Sequence, residues 1–383
     1  MEALQKYGLG GLNTESVKRA EILFRNALEY DSTFALAYTG LAEVCWKKYY
    51  LDNFLTNYMD SVLIFANKAL SYDAQLAEAY FDRAGYYDYK GNPKMVIEEY
   101  DKALRFNPND WICYWGKGVY YEDYDMVQSI TNFQKAASLN HGPQLTEALR
   151  RAGDIYYQIG FPEEGSHFLL EALKLDGDSI KHSLFLIIYT VEANGDFKKV
   201  LDIYKKRFLT DSANANVLLR IGYYNSLVGD YKESLKYFEK YLSLLKTGGY
   251  CNPWTKLMEE YLIGYAYAEN ELKKESDFYF EKSIETYSNL IKFDRKGESR
   301  YYFYRLAGIF TYRGEKGKAY EFLNKLNQSP IFSIGEITLI KHDPLFKSVR
   351  NEPVFQSIVK NMEAKYQAEH EKVRKWLEEQ GKL

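Results

Sequence analysis

Between Ala77 and Pro108 the chain reads AEAYFDRAGYYDYKGNPKMVIEEYDKALRFNP. Tyr80, Ala84 and Tyr87 recur at helical spacing and share one face of a helix. Val96, Tyr100 and Ala103 do the same in a second helix. Gly91-Asn92-Pro93 separates the two, a glycine able to turn followed by a proline suited to a first helical turn. Small residues fall where helices must approach closely, and large ones where a gap must be filled. Neither stripe can be buried by the pair alone, so the unit needs copies stacked beside it.

The copies are present along the chain. Ala20, Phe24 and Ala27 form the second stripe of a first unit whose opening helix, with Gly8, Gly10 and Gly11, is poor; Thr14 is its candidate N-cap. Tyr38, Leu41, Ala42 and Cys45, then Val62, Ala66 and Ala69, form the next. Extra residues around Tyr49 to Thr56 either lengthen its helices or protrude as a loop. Later units carry Tyr114, Gly118 and Tyr121 with Ile130, Gln134 and Ala137, and then Leu149, Gly153 and Tyr156 with Leu169 and Ala172. A sixth carries Leu184, Ile188 and Val191 with Val200 and Tyr204, and a seventh Leu218, Gly222 and Asn225 with Ser234, Phe238 and Tyr241. Gly195-Asp196-Phe197 and Gly229-Asp230-Tyr231 sit at the same point of these two units, where a left-handed glycine reverses the chain. A Gly- and Pro-containing loop, 246–254, precedes two less regular units around Ile263 to Ser283 and Phe303 to Leu323. The expected organisation is therefore 1–245, an array of repeats; 246–329, two looser repeats; and 330–383, capping helices. In the last part, Pro344 and Pro353 each suit a first helical turn, and Leu345, Phe346 and Val349 form a short amphipathic turn. The charged end, with Val373, Trp376 and Leu377 on one side, is a solvated cap or a segment for docking or dimerisation.

Tyr80, Ala84, Tyr87, Gly91, Pro93, Val96, Tyr100, Ala103 and Pro108 are spaced in a way that resembles the tetratricopeptide repeat, whose period is about 34 residues. Ala69, Ala103 and Ala137 are separated by that period. The resemblance reaches to about Leu326 and implies an all-α solenoid of about nine helix pairs in a right-handed superhelix, with the first helices lining a concave groove. Two further stretches, LFRNALEYDSTFALAYTGLAEV and KHDPLFKSVRNEPVFQSIV, resemble repeat regions of bacterial signalling and transcription-control proteins. In those, the array follows an effector domain such as a helix-turn-helix or a nucleotide cyclase. The start, MEALQKYGLGGLNTES, lies inside a repeat, so the chain reads as a segment of a longer protein.

Composition narrows the partners. Lys and Arg number 50 against 53 Asp and Glu, so no global basic field favours nucleic acid. No run approaches the ~20 apolar residues of a membrane span. A cytoplasmic setting is expected, or a periplasmic one if a longer parent is membrane-anchored. The 37 Tyr and 22 Phe are the unusual feature, since such rings pack between helices or offer flat faces to a ligand.

No catalytic set emerges. Phosphate loops, GxGxxG, GxSxG and HExxH are all missing, so the expected role is not enzymatic and needs no cofactor. Cys45, Cys113 and Cys251 have no zinc spacing, and His141, His167, His182, His342 and His370 read as surface residues. Cys45 and Cys113 fall near the repeat core, as inert packing. Adjacent carboxylates such as Glu98-Glu99 point about 100° apart on a helix and make no acid–base pair.

The groove positions implied by the resemblance are Phe81 and Gly85, Trp115 and Val119, Arg150 and Asp154, and Phe185 and Tyr189. They continue with Leu219 and Tyr223, Tyr261 and Tyr265, and Tyr304 and Gly308. Phe81 is expected to face the groove and not the seam between helices. The rings either stack on a ligand or pack against one another across the superhelix. The Lys and Asn clamp by which some members hold a C-terminal carboxylate is missing, since Thr39, Glu43, Phe81 and Gly85 occupy its positions. Arg150 either anchors an anion or pairs with Asp154. A protein or peptide partner is the leading expectation, with a saccharide or signal molecule as the alternative. A homodimer through the C-terminal helix is a further possibility.

Overall fold

The computed structural model describes residues 14–52, 56–142, 144–176, 194–249, 251, 253–292 and 299–383. Among them are eighteen α-helices, one 3-10 turn and no strand. The helices pack pairwise in chain order, as the repeated stripes require. The chain divides into two compact units. The first holds the described residues of 1–122, 128–152 and 290–297, and the second those of 123–127, 153–289 and 298–383.

The first unit contains α1 (Thr14–Tyr30), α2 (Ala35–Leu51), α3 (Met59–Tyr72), α4 (Ala77–Tyr89), α5 (Pro93–Phe106), α6 (Trp111–Tyr121), most of α7 (Met126–Leu139) and the first half of α8 (Leu145–Gln158). The α4–α5 turn forms as its residues dictate. Asn92 accepts a hydrogen bond from the Met95 N–H at 3.3 Å, and Pro93 opens α5. Ala84, Val96 and Tyr100 form one buried cluster with Tyr120 of α6. Ala77 and Ala103 form another with Cys113 of α6. The next first helix therefore covers the stripes that the pair leaves open. The insert near Tyr49 goes partly into α2, which has 17 residues where α4 has 13.

One stripe runs a residue away from its expected path. In α7 the buried residues are Ile130, Phe133 and Ala136, while Gln134 and Ala137 are only half-buried. The cause is Gly118 of α6, where an added Cβ would stand 2.9 Å from the Phe133 ring. The notch in α6 selects the ring over the alanine ladder.

The second unit holds the rest of α8, α9 (Pro162–Asp176), α10 (Phe197–Thr210), α11 (Ala215–Leu227), α12 (Tyr231–Lys246), α13 (Pro253–Glu269) and most of α14 (Lys273–Lys292). It continues with α15 (Ser299–Tyr312), α16 (Lys316–Leu326), α17 (Ile334–His342), the 3-10 turn Pro344–Phe346 and α18 (Pro353–Glu379). Gly195 and Gly229 have φ of +72° and +83°, the left-handed region in which glycine escapes a Cβ penalty. Asp196 and Asp230 then cap α10 and α12 by accepting from the N–H groups of Lys199 and Glu233, each at 3.2 Å. The first-helix stripe at Leu184, Ile188 and Val191 lies outside the described residues.

The C-terminal segment is part of this unit's core. Leu345, Phe346 and Val349 are buried. So are Phe355, Ile358, Met362, Tyr366, Val373 and Leu377 along α18. The Glu369 carboxylate accepts from the Met126 N–H at 2.7 Å, and Lys372 pairs with Asp125 at 2.8 Å. His370, expected at the surface, is half-buried: its ring stacks on Phe161 at 4.6 Å and its Nδ1 lies 2.7 Å from the Ile159 carbonyl oxygen. The apolar face that a second copy of α18 would need is thus occupied within the unit. Cys45 and Cys113 are buried as expected, and burial raises both thiols, Cys45 to about 11.

Candidate functional site

The anticipated groove residues separate by unit. In the first unit, aromatic rings of one first helix sit in glycine notches of the next. A Cβ at Gly85 of α4 would lie 2.6 Å from the Trp46 ring of α2, and one at Gly116 of α6 would lie 2.8 Å from the Phe81 ring of α4. Phe81 also lies 6.0 Å from the Tyr100 ring. Phe81 therefore packs in the seam, contrary to the expectation that it faces the groove. Trp115 is half-buried. Arg150 bonds Glu147 one turn earlier, with Nε to Oε2 at 2.9 Å. Asp154 is buried in the second unit, and Phe185 and Tyr189 lie outside the described residues.

In the second unit, Tyr223 of α11, Tyr261 of α13 and Tyr304 of α15 line one cavity of about 310 Å³. Their fellow Tyr265 does not. It is 2% exposed, with edge-on contacts to Tyr231 and Tyr312 at 5.5 and 5.2 Å, and its hydroxyl donates to that of Tyr231 at 3.1 Å. Burial, and then the Tyr231 hydrogen bond, push its phenol far above the usual range, so Tyr265 is a neutral core residue.

The cavity also brings in Arg220, Arg300 and Arg305. Arg220 lies over the Tyr223 ring at 6.0 Å. Arg305 lies over Tyr261 at 5.7 Å and donates to the Tyr301 carbonyl at 2.8 Å. Such cation–π contacts hold each guanidinium group over a ring of the cavity wall. Arg300 is buried. It donates to the Ile331 carbonyl at 3.2 Å and the Tyr301 hydroxyl at 2.9 Å, and it pairs with Asp123 at 3.3 Å and Glu336 at 3.5 Å. Burial opposes its charge, but Glu336, Tyr301 and Asp123 hold it above the ordinary arginine range. Behind the cavity, the Tyr304 hydroxyl donates to Asp343 Oδ2 at 2.6 Å. Burial raises the Asp343 carboxyl, against that hydroxyl and the Leu345 N–H. Leu326, Phe332 and Met362 supply apolar wall.

The first turn of α17, Ser333 to Glu336, closes one side. Ser333 and Glu336 form a capping box there, satisfying each other's backbone N–H at 2.8 and 3.2 Å. The arginines and this turn escaped the repeat-based reading because the repeat does not specify them. A signal was present in SRYYFYRLAG, two arginines in an otherwise aromatic first helix. No group of three or more metal-ligating side chains occurs among the described residues.

The sequence profile of the tetratricopeptide repeat matches residues 77–110 and 215–244. These are the pairs α4–α5 and α11–α12, whose turns and stripes are described above. The chain carries tetratricopeptide repeats at these two pairs. A TPR repeat-containing protein of Methanocaldococcus jannaschii is 22% identical over an alignment covering 63% of this chain and 48% of that protein. The chain thus spans about half the length of this curated relative. Among solved structures, a Rap protein complexed with competence and sporulation factor is similar over 94% of this chain and 99% of its own, with a TM-score of 0.53 and 12% identity. The APC/C hetero-tetramer Cut9–Hcn1 is similar over 91% of this chain and 59% of its own, with a TM-score of 0.45 and 14% identity. No described helix is long and apolar enough to cross a membrane.

Proposed function

We propose that the chain is a non-enzymatic binding scaffold whose first-helix face takes a peptide or protein partner, as the sensing or docking part of a bacterial signalling or transcription-regulating protein. The observation that carries this reading is the convergence of Tyr223, Tyr261 and Tyr304, one from each of three first helices, on a single recess. Tyrosine supplies contact area at low entropic cost and a hydroxyl for register. The Rap protein of similar fold was solved with competence and sporulation factor, and a ligand on a related fold supports looking for one here. The test is affinity capture from the source cell, followed by titration of the captured partner against Trp115→Ala and Tyr223→Ala, with helicity checked by circular dichroism. Unchanged affinity in both folded variants sinks the reading.

A second reading takes the recess as a small-molecule site. Its volume of about 310 Å³ matches the lower end of ligand pockets and is small for a protein side.

A further inference from the structure

By its described lining residues the cavity of the second unit is cationic as well as aromatic. Three guanidinium groups, those of Arg220, Arg300 and Arg305, line it, against one carboxylate among the described lining residues, Glu336. That carboxylate is already engaged with Arg300 and with the Ser333 N–H. Asp123 lies against Arg300, and Asp343 lies behind Tyr304; neither lines the cavity. The Asp343 carboxylate accepts from the Tyr304 hydroxyl and the Leu345 N–H, and Arg350 donates to its backbone carbonyl.

The first turn of α17 adds to this field. Its capping box uses the N–H groups of Ser333 and Glu336. The N–H groups of Ile334 and Gly335 belong to the same first turn, where a helix offers no internal acceptor. Both residues line the cavity. Gly335 is open: a Cβ there would meet nothing nearer than the Ser333 hydroxyl at 3.9 Å. Guanidinium forks and a helix N-terminus both favour an oxyanion. Tyrosine faces, with Phe332 and Met362, suit a flat apolar body.

We propose that this cavity binds a small molecule with an aromatic or other planar body and one oxyanion, either a carboxylate or a phosphate. The anion lies toward Arg220, Arg305 and the first turn of α17, and the body lies among Tyr223, Tyr261 and Tyr304. The inference rests on the small-molecule reading of the recess and is independent of partner capture.

The probes are benzoate and phenyl phosphate, each set against its neutral counterpart, benzamide or phenol, titrated into the full chain by ligand-observed NMR at low salt. The expected result is that at least one anion binds about tenfold or more tightly than its neutral counterpart. The preferred anion identifies the oxyanion class. Arg305→Gln lowers that affinity about tenfold or more, and Arg305→Lys restores part of it. Gly335→Asp places a carboxylate in open space on the cavity lining and at a helix N-terminus, where it is tolerated. It abolishes anion binding with the thermal midpoint unchanged. Equal binding of charged and neutral probes overturns the oxyanion assignment and leaves the recess as a neutral site. Anion binding that survives Gly335→Asp also overturns it. Failure of all four probes to bind at millimolar concentration overturns both the assignment and the small-molecule reading.

Discussion

The first helices of the two units use the same residue type in opposite ways. In the first unit, Trp46 and Phe81 project from one first helix into glycine notches at Gly85 and Gly116 on the next. The rings fill notches in the seam and stay half-buried. In the second unit, Gly222 and Gly264 receive Phe238 and Phe280 from the second helix of the same pair, as Gly118 receives Phe133 in the first, but the repeat position of Gly85 is held by Tyr223 and Tyr265. Tyr223, Tyr261 and Tyr304 are left to border a cavity with three arginines. An aromatic residue at a groove position therefore says little by itself. Whether the next first helix offers a glycine notch, as Gly85 and Gly116 do, decides whether the ring packs in a seam or borders a recess.

Four substitutions break or sharpen this contrast. The largest effect belongs to Tyr265→Ala, which empties a buried site between Tyr231 and Tyr312. A loss of about 3–5 kcal/mol is expected in denaturant unfolding of the second unit. A loss under ~1 kcal/mol would mean that Tyr265 is an open groove residue after all. Next is Gly116→Val. Its Cβ would stand 2.7 Å from the Tyr100 hydroxyl and 2.8 Å from the Phe81 ring, so about 1–3 kcal/mol is lost. Hydrogen exchange should localise that loss to the first unit; no loss would show that the notch is loose and Phe81 free to swing out.

The third is Asp82→Asn, which acts with the opposite sign. Asp82 is 5% exposed, and its Oδ2 has no hydrogen-bond partner. Burial, then Glu43 and Glu78, raise its carboxyl well above the ordinary range. A carboxyl raised in the folded state holds its proton there more tightly than in the unfolded chain. Its cost is therefore nil below the unfolded value of about 3.9 and grows as pH rises towards the folded value. Asp82→Asn should stabilise the first unit by about 1–2 kcal/mol at neutral pH and have no effect near pH 3. Thermal melts across that range check it, and a pH-independent difference refutes the titration account. The smallest stability effect is Trp115→Ala, at about 1 kcal/mol or less for a half-buried side chain. Its readout is partner affinity, and a stability loss as large as that of Tyr265→Ala would place Trp115 in the seam with Phe81.

Much of the fold was legible because periodicity reports burial directly. The stripe residues Ala84, Val96, Tyr100 and Ala103 are all buried, in two adjoining clusters, and Gly195-Asp196 and Gly229-Asp230 turn and cap as their chemistry requires. The candidate site was legible only in part. Tyr223, Tyr261 and Tyr304 were placed by repeat position alone. Phe81, at an equivalent position, was misassigned because its partner Gly116 is 35 residues away in sequence. Arg220, Arg300, Arg305 and the first turn of α17 carry no repeat signature, so nothing in the periodicity marked them.

The sequence by itself determined the all-α class, the helix-pair unit, its turns and its buried stripes. These depend on interactions within one helix or between neighbours in the chain, which a local pattern encodes. Only the tertiary structure decided which rings fill seams and which border a recess, that the charged C-terminal helix buries its apolar face in its own unit, and that arginines far apart in sequence meet the end of α17. Each depends on which distant surface arrives opposite a given side chain, and no local pattern carries that information.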